Sequence, residues 1–387
     1  MKMKNALIMH TGGWIGDMIL LTPALRGLKK NFPDCKMSMI VLPLVRELME
    51  RNPYLDEIIV YDKRNTQKGF RQMREMASYL RSKDFDTAII LHPNSVKSAI
   101  LAYMAGIHER IGLKLTGNGF FLTTKVKQRK NIHEVKRYLD IIAPIAGTNL
   151  DDKLEFWGIE QSDEEFARSI LFRNDDANES YEPLNPPLSP FSKGGYVILP
   201  FQKGEIRFPF ERGGRGDLKA RNFIVGLNVS TTWKTKQWRM EKFARLVELL
   251  YNEMGVMSVL TGGKSDIDLG EKIMKIAQDS DKYIVNLTGH TTLWQLGAII
   301  KRCHIYITCD SGPMHISSAL NTPTIALFGP TEPIRHRPYG EGHKVIKKNM
   351  KCSPCYEREC KNRDFACMET IQVDDVMDCV RFLLSQL

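Results

Sequence analysis

Four residues of unlike chemistry, Asp310, Ser311, Gly312 and His315, fall within six positions, directly after the apolar run 305–307. A carboxylate, a hydroxyl and a flexible turn at a strand end, then a helix carrying the imidazole, would point free backbone N–H groups at one spot. Such a spot binds anions, and a diphosphate is a suitable guest. A second β-rich run, 324–328, closes on Gly329-Pro330-Thr331, so two glycine-bearing loops are expected at adjacent strand ends, as in a nucleotide crevice. The same residues also fit an ordinary turn and a packed or solvated histidine.

Other strand-end loops carry groups for the same chemistry. The run 223–229 delivers Ser230, Thr231, Thr232, Lys234 and Lys236 to a loop that ends at Trp238. Hydroxyls can donate to phosphate oxygens, and an ammonium offsets charge building on a leaving group; solvated surface lysines are the alternative, and Trp238 is read as support for the loop. The run 257–260 ends at Thr261-Gly262-Gly263, a turn for backbone contact with a nucleotide, with Asp266 placed to reach a ribose hydroxyl. Near the N-terminus, a strand over 5–10 leads into Thr11-Gly12-Gly13-Trp14-Ile15-Gly16-Asp17. Its glycines let backbone approach a substrate closely. Asp17 stands at a helix start, either as an N-cap or as a group acting on substrate. The absence of a following Gly-Lys-Ser/Thr argues against a phosphate-binding P-loop. His92-Pro93-Asn94-Ser95 is one more loop at a strand end, and His92 and His133 are read as structural or substrate-side residues.

These loops need a scaffold, and the chain supplies alternating strand and helix patterns. Strands are expected at 36–42, 57–61 and 86–91, with helices near 45–51 and 67–81 between them, and the alternation resumes at residue 223. A βα repeat implies a mostly parallel sheet covered by helices. At 387 residues and 43% hydrophobic composition, two such domains are the natural expectation. Between them, 183–221 holds six of the 18 prolines among six glycines. That composition sustains neither a helix nor a central strand, so a flexible linker insertion is expected. The domains are thus placed at 1–182 and 222–370, with a last helix over 371–387 packing back toward the first.

The formal charge of +10 (55 basic, 45 acidic) favours an anionic partner: a nucleotide, an acidic membrane surface or a nucleic acid. Aromatic residues are not interleaved with a basic stripe, which speaks against nucleic acid. No window approaches 18 apolar residues, and MKMKNALIMHTGGW enters a strand rather than a secretory h-region. A cytoplasmic protein with peripheral contact to the inner membrane face is expected. Eight cysteines in such a chain suggest reduced thiols. Four of them, Cys352, Cys355, Cys360 and Cys367, follow C-x2-C-x4-C-x6-C, intervals unlike a paired-CxxC ribbon that leave structural thiols, a disulfide, zinc or an iron-sulfur cluster open.

The ordered motifs resemble glycosyltransferase family 9, the ADP-heptose:lipopolysaccharide heptosyltransferases. The likeness rests on Asp310-Ser311-Gly312 with His315, the 328–333 loop Phe-Gly-Pro-Thr-Glu-Pro, Gly16-Asp17 with Pro23 and Leu28, Gly106 with Arg110-Ile111-Gly112, and the hydroxyl-rich Lys236-x-Trp238 loop. Cys352, Pro354, Cys355, Cys360, Cys367 and Met368 are similar to the tail of heptosyltransferase II-like members. The resemblance covers nearly the whole chain outside 183–221. It implies a GT-B fold of two Rossmann-like βαβ domains facing a central cleft, and an inverting transfer of heptose from ADP-heptose to the lipopolysaccharide inner core on lipid A. On that likeness Asp17 is the general base and Lys236 assists the leaving group. Thr231, Thr232, Gly262, Gly263, Asp266, Asp310, Ser311, Gly312 and His315 hold the donor, while Gly13, Gly16 and His92 lie on the acceptor side. No cofactor is obligatory, although Mg²⁺ can accompany the donor diphosphate. The rival readings are a GT-B enzyme using another nucleotide sugar, a sugar-nucleotide epimerase, and a non-enzymatic zinc-binding interaction protein.

Overall fold

Short apolar runs form the strands, and burial on both faces explains why they read as continuous rather than alternating hydrophobic sequence. The structure is a computed structural model and describes residues 3–92, 96–171 and 223–386. The insertion expected at 183–221 and the loop positions Pro93, Asn94 and Ser95 lie outside the described residues. The chain divides into two units, Met1–Gly158 and Ile159–Leu387.

In the first unit, β1 (Asn5–Met9), β2 (Lys36–Val41), β3 (Glu57–Val60), β4 (Thr87–Ile90), β5 (Glu109–Leu113) and β6 (Thr124–Val126) form a sheet in the order β3-β2-β1-β4-β5-β6. Every pairing in it is parallel. Ala6, Leu7, Ile8 and Met9 of the central strand are fully buried. The chain leaves β1 in one direction and returns at β4 on its other side, so loops after β1 and β4 diverge and leave a crevice at the carboxyl ends of those strands. The helix expected after Asp17 is two helices, Ile15–Leu20 and Thr22–Asn31, parted at Leu21. Pro23 opens the second, where its missing N–H costs no hydrogen bond.

The second unit repeats the plan with β7 (Ile224–Asn228), β8 (Met257–Thr261), β9 (Ile284–Asn286), β10 (Ile305–Cys309), β11 (Thr324–Phe328) and β12 (Lys344–Lys347). Their order is β12-β11-β10-β7-β8-β9, again all parallel. The reversal falls between β7 and β10. Helix ends follow local chemistry: Thr292 and Gln295 form a capping box for Leu293–Arg302, and Gly255 takes a left-handed conformation after Met240–Met254.

The division at 158 comes earlier than the expected 182. The amphipathic helix Gln161–Leu171 packs on Leu293–Arg302 of the second unit, where Glu164 pairs with Lys301 at 3.0 Å and with Arg302. The last helix, Val373–Leu384, buries Val376, Met377, Val380 and Leu383 in the core of its own unit, against the helix Met240–Met254 and strands β10, β11 and β12. Among the described residues, no helix is long and apolar enough to cross a membrane.

Candidate functional site

In the second unit the loops after β7, β10 and β11 meet in one hydrogen-bonded cluster. Lys236 Nζ lies 2.7 Å from Asp310 Oδ2, with both side chains largely buried. Thr331 donates its hydroxyl to the same carboxylate at 2.7 Å. Burial pushes the Asp310 carboxyl up, but Lys236, then His336 and Thr331, outweigh it and hold the group below the usual carboxylate range. Asp310 therefore stays ionised and fixes the ammonium, which also lies 4.4 Å from the centroid of the Trp233 ring. Asn228, at the end of β7, donates to Ser230 O at 2.6 Å and to Ser311 Oγ at 3.1 Å. Ser311 Oγ is also 3.0 Å from Thr308 Oγ1. Because the Ser311 hydroxyl is engaged there, the helix Gly312–Ala319 has no side-chain cap, and its first-turn amides point out of the strand end as an anion would require.

His315 is buried on that helix, and its Nδ1 has no hydrogen-bond partner. Burial first, then the neighbouring His336 and Lys236 charges, bring its pKa down to about 3 against the opposing pull of Asp310. It is a neutral imidazole at pH 7 with one ring nitrogen unclaimed by protein. The Thr231 hydroxyl donates to Trp233 O at 2.6 Å, so its proton is engaged within the loop, whereas Thr232 is exposed. Gly262 and Gly263 follow β8, where Asp266 Oδ2 accepts from Gly263 N at 2.7 Å. One Asp266 oxygen is thus committed to shaping the turn. Trp238 is a core residue, 1% exposed, donating to Ile371 O at 3.0 Å.

In the first unit the β1 and β4 loops also converge. His10 and His92 stack edge-to-face with ring centroids 5.2 Å apart, and His10 Nε2 is 3.1 Å from Tyr138 Oη. Burial is the main reason that His10 titrates well below its ordinary range and that His92 falls to about 4, with Lys63 and Arg64 adding to the latter. Gly12 lies against these rings: a Cβ there would stand 2.8 Å from His10 Cε1 and 2.9 Å from His92 Cδ2. Gly13 has φ +78°, the left-handed region that a side chain resists. Gly16 and Asp17 are in the helix Ile15–Leu20, whose N-cap is Trp14, so Asp17 is not the N-cap and lies in the first turn, partly exposed.

The structure adds a basic pair that sequence reading missed. Lys63 Nζ bonds to Thr11 Oγ1 at 2.7 Å, and Arg64 Nη2 donates to Gly12 O at 2.5 Å. Burial, then the charges of Arg64 and Lys97, lower Lys63 to about 8. The pair follows β3 in a turn shaped by the Asp62 carboxylate, which accepts from the amides of Asn65 and Thr66. A strand-end position was the available signal, but no glycine or proline marked it. His133 caps the helix Glu134–Ala146 through Nδ1 at 3.3 Å from Val135 N, a structural role.

The cysteine tail lies beside the β7 and β11 loops. Cys352, Cys355, Cys360 and Cys367 line one cavity of about 230 Å³ with Thr235 and Pro330. All four thiols are free. Burial, and after it the sulfurs of Cys352, Cys355 and Cys360, push Cys367 up to about 11.

The family model for glycosyltransferase family 9 (heptosyltransferase) matches residues 73–366. Lipooligosaccharide heptosyltransferase 2 of Campylobacter jejuni is 24% identical over 388 residues, covering 98% of each chain. Lipopolysaccharide heptosyltransferase 2 of Escherichia coli K12 is 25% identical over 338 residues, covering 86% of this chain and 85% of that one. Among solved structures, a family 9 glycosyl transferase from Veillonella parvula superposes with a TM-score of 0.76 at 22% identity, covering 99% and 98% of the two chains. The E. coli ADP-heptose lps heptosyltransferase II gives 0.68 at 23%, covering 99% of each. These likenesses show a GT-B fold.

Proposed function

Because the chain belongs to glycosyltransferase family 9, we propose that this glycosyltransferase moves L-glycero-D-manno-heptose from its ADP ester to a hydroxyl of the lipopolysaccharide inner core. The observation that carries the reading beyond the family is the Lys236–Asp310–Thr331 cluster at the turning point of the second sheet. In this reading the ammonium held by Asp310 and the uncapped first turn of the helix Gly312–Ala319 supply the donors a departing diphosphate needs. In the first unit, the Lys63–Arg64 pair beside the glycine loop suits an acceptor that bears anionic groups.

The proposed step is an inverting displacement. Asp17 takes the proton of the acceptor hydroxyl as its oxygen attacks the anomeric carbon, on the face opposite the phosphate. The bond from that carbon to the β-phosphate oxygen breaks, and the electron pair leaves with ADP, whose charge Lys236 and the amides at Gly312 and Met314 offset. Mg²⁺ would accompany the donor diphosphate rather than occupy a cage of protein ligands. The setting is the inner face of the cytoplasmic membrane, contacted peripherally, where a lipid-borne acceptor is reached.

The test is to incubate the protein with ADP-heptose and a truncated core lipid and read the product by mass spectrometry. Gain of one heptosyl unit, with ADP-heptose preferred over other nucleotide sugars, is expected; turnover of ADP-heptose with no acceptor present, or preference for another donor, would overturn the reading. Asp17→Asn should lower kcat by at least about 10²-fold, the scale of a general base, while calorimetric ADP affinity stays unchanged. Ordinary turnover by that variant removes Asp17 from the base role.

A further inference from the structure

Asn228 ends β7, and Thr308 faces it in register on β10, across the reversal of the second sheet; both side chains are buried. The Asn228 amide nitrogen lies 2.6 Å from Ser230 O and 3.1 Å from Ser311 Oγ. Ser230 O is a carbonyl and only accepts, so the amide nitrogen, not the amide oxygen, must stand there. One hydrogen of that amide goes to Ser230 O and the other to Ser311 Oγ. The Thr308 hydroxyl donates to Cys309 O at 2.8 Å, again a group that only accepts, so Ser311 is the donor in the 3.0 Å contact between the two hydroxyls. Ser311 is thus held both at its hydrogen and at a lone pair. Its position favours something else. Ser311 is the N-cap of the helix Gly312–Ala319, where a serine oxygen ordinarily accepts from the second or third amide of the helix. The second residue, Pro313, has no N–H, which leaves the Met314 amide for Ser311 to cap, and that hydrogen bond is not made. The same helix carries His315, whose buried Nδ1 has no hydrogen-bond partner.

We propose that Asn228 is a positioning residue: by engaging the Ser311 hydroxyl it keeps the helix Gly312–Ala319 uncapped and reserves the amides at Gly312 and Met314 for the diphosphate of a nucleotide donor. The role rests on the donor site proposed above. A capped amide has to be released before a phosphate oxygen takes it, so a free Ser311 hydroxyl competes with the ligand for Met314. A hydroxyl already committed to Asn228 and Thr308 does not. The two strand ends therefore hold the helix terminus in its binding form before any ligand arrives, which removes a cost from association.

Asn228→Ala should let Ser311 turn onto the Met314 amide. In the full-length protein, calorimetric ADP affinity should then fall by about fivefold, the scale of one N-cap hydrogen bond, and in the absence of nucleotide the Met314 amide should exchange with deuterated solvent more slowly. That sign separates the proposal from simple damage, because a destabilised helix opens more often and exchanges faster. Thr308→Val, which removes the acceptor of the Ser311 hydroxyl, should act in the same direction and serves where Asn228→Ala folds poorly. In a Ser311→Ala background neither effect should remain: Ser311→Ala and Asn228→Ala/Ser311→Ala should bind ADP within about twofold of each other, the margin within which uncoupled changes add. The proposal is overturned by an equal fall in affinity in that background, by unchanged ADP affinity in both Asn228→Ala and Thr308→Val, or by Met314 exchange that is slowed in neither. Slowed exchange in a protein that binds no ADP in any form, the unaltered one included, would refute the donor site while supporting the link from Asn228 to Ser311.

Discussion

Asp310 keeps a full charge in a buried position, and the Lys236 contact at 2.7 Å is what makes that tolerable. Lys236→Ala should then do two things at once. It should lower unfolding stability by about 3 kcal/mol, the lower end for removing one partner of a buried ion pair, and cut kcat/KM by at least about 10²-fold through loss of a charge aimed at the leaving diphosphate. Lys236→Met with Asp310→Asn separates the effects: urea unfolding should show stability restored to within about 1 kcal/mol, because no charge is left buried alone, while transfer stays lost. If activity returns with stability, Lys236 is only structural.

Lys63 titrates nearer to neutrality than any ordinary lysine, at about 8, because burial and two adjacent cations disfavour its charged form. Below that pH it presents an ammonium to an anionic acceptor, and above it the group is neutral. The profile of kcat/KM for acceptor, which reports the free enzyme, should therefore decline above about pH 8. Lys63→Arg keeps its charge throughout the range and should abolish that decline; a decline that persists unchanged assigns it to another group. His92 and His315, held at about 4 and 3, contribute no protonation step between pH 6 and 9.

At the level of elements, the loop after β1 is a backbone device. Gly13 at φ +78° turns the chain between β1 and the helix of Asp17, and a Cβ there would also stand 2.5 Å from Leu42 Cδ1. Gly13→Ala should cost roughly 1–2 kcal/mol for the left-handed backbone alone, read as a lowered midpoint in urea, and should reduce transfer more than ADP binding, since the loop lies in the first unit. Leu42→Ala added to it should relieve the contact without relieving the backbone cost, so recovery should be partial; full recovery would show that the turn does not need glycine. Much of this level was legible in the chain. Buried parallel strands are short, uniformly apolar and followed by small residues, which made β1, β7, β8, β10 and β11 and their loops readable. The pairing of His10 with His92, of Asn228 with Ser311 and of Thr331 with Asp310 was not, because such contacts join strand ends 82, 83 and 21 residues apart and leave no local pattern. Lys63 and Arg64 were missed for a similar reason: two solvated-looking basic residues acquire meaning only when β3 places them beside the β1 loop. The place of the helix Gln161–Leu171, which packs on Leu293–Arg302, could not be read from its pattern, because amphipathicity says that a face is buried, not against what.

For the whole molecule, a charge of +10 states that an anionic partner is favoured without saying where it is met. The first unit offers a place. Phe120 is 77% exposed, and its ring lies 5.4 and 5.8 Å from those of Phe121 and Tyr103. The surrounding stretch 114–130 contains Lys114, Lys125, Lys127, Arg129 and Lys130 and no acidic residue, although Arg129 is paired with Asp140. An exposed aromatic ring in a stretch rich in basic residues suits the interface of an anionic bilayer, where each cation near the surface adds about 1 kcal/mol and a buried phenylalanine about 2 kcal/mol. The protein should therefore sediment with phosphatidylglycerol vesicles at about 0.1 M salt and much less at about 0.5 M, where the screening length is roughly halved. Phe120→Ser, which leaves the charges intact, should weaken the partition by about tenfold or more while leaving ADP affinity untouched. Equal binding to neutral phosphatidylcholine vesicles, or no change on Phe120→Ser, would move membrane contact to another surface.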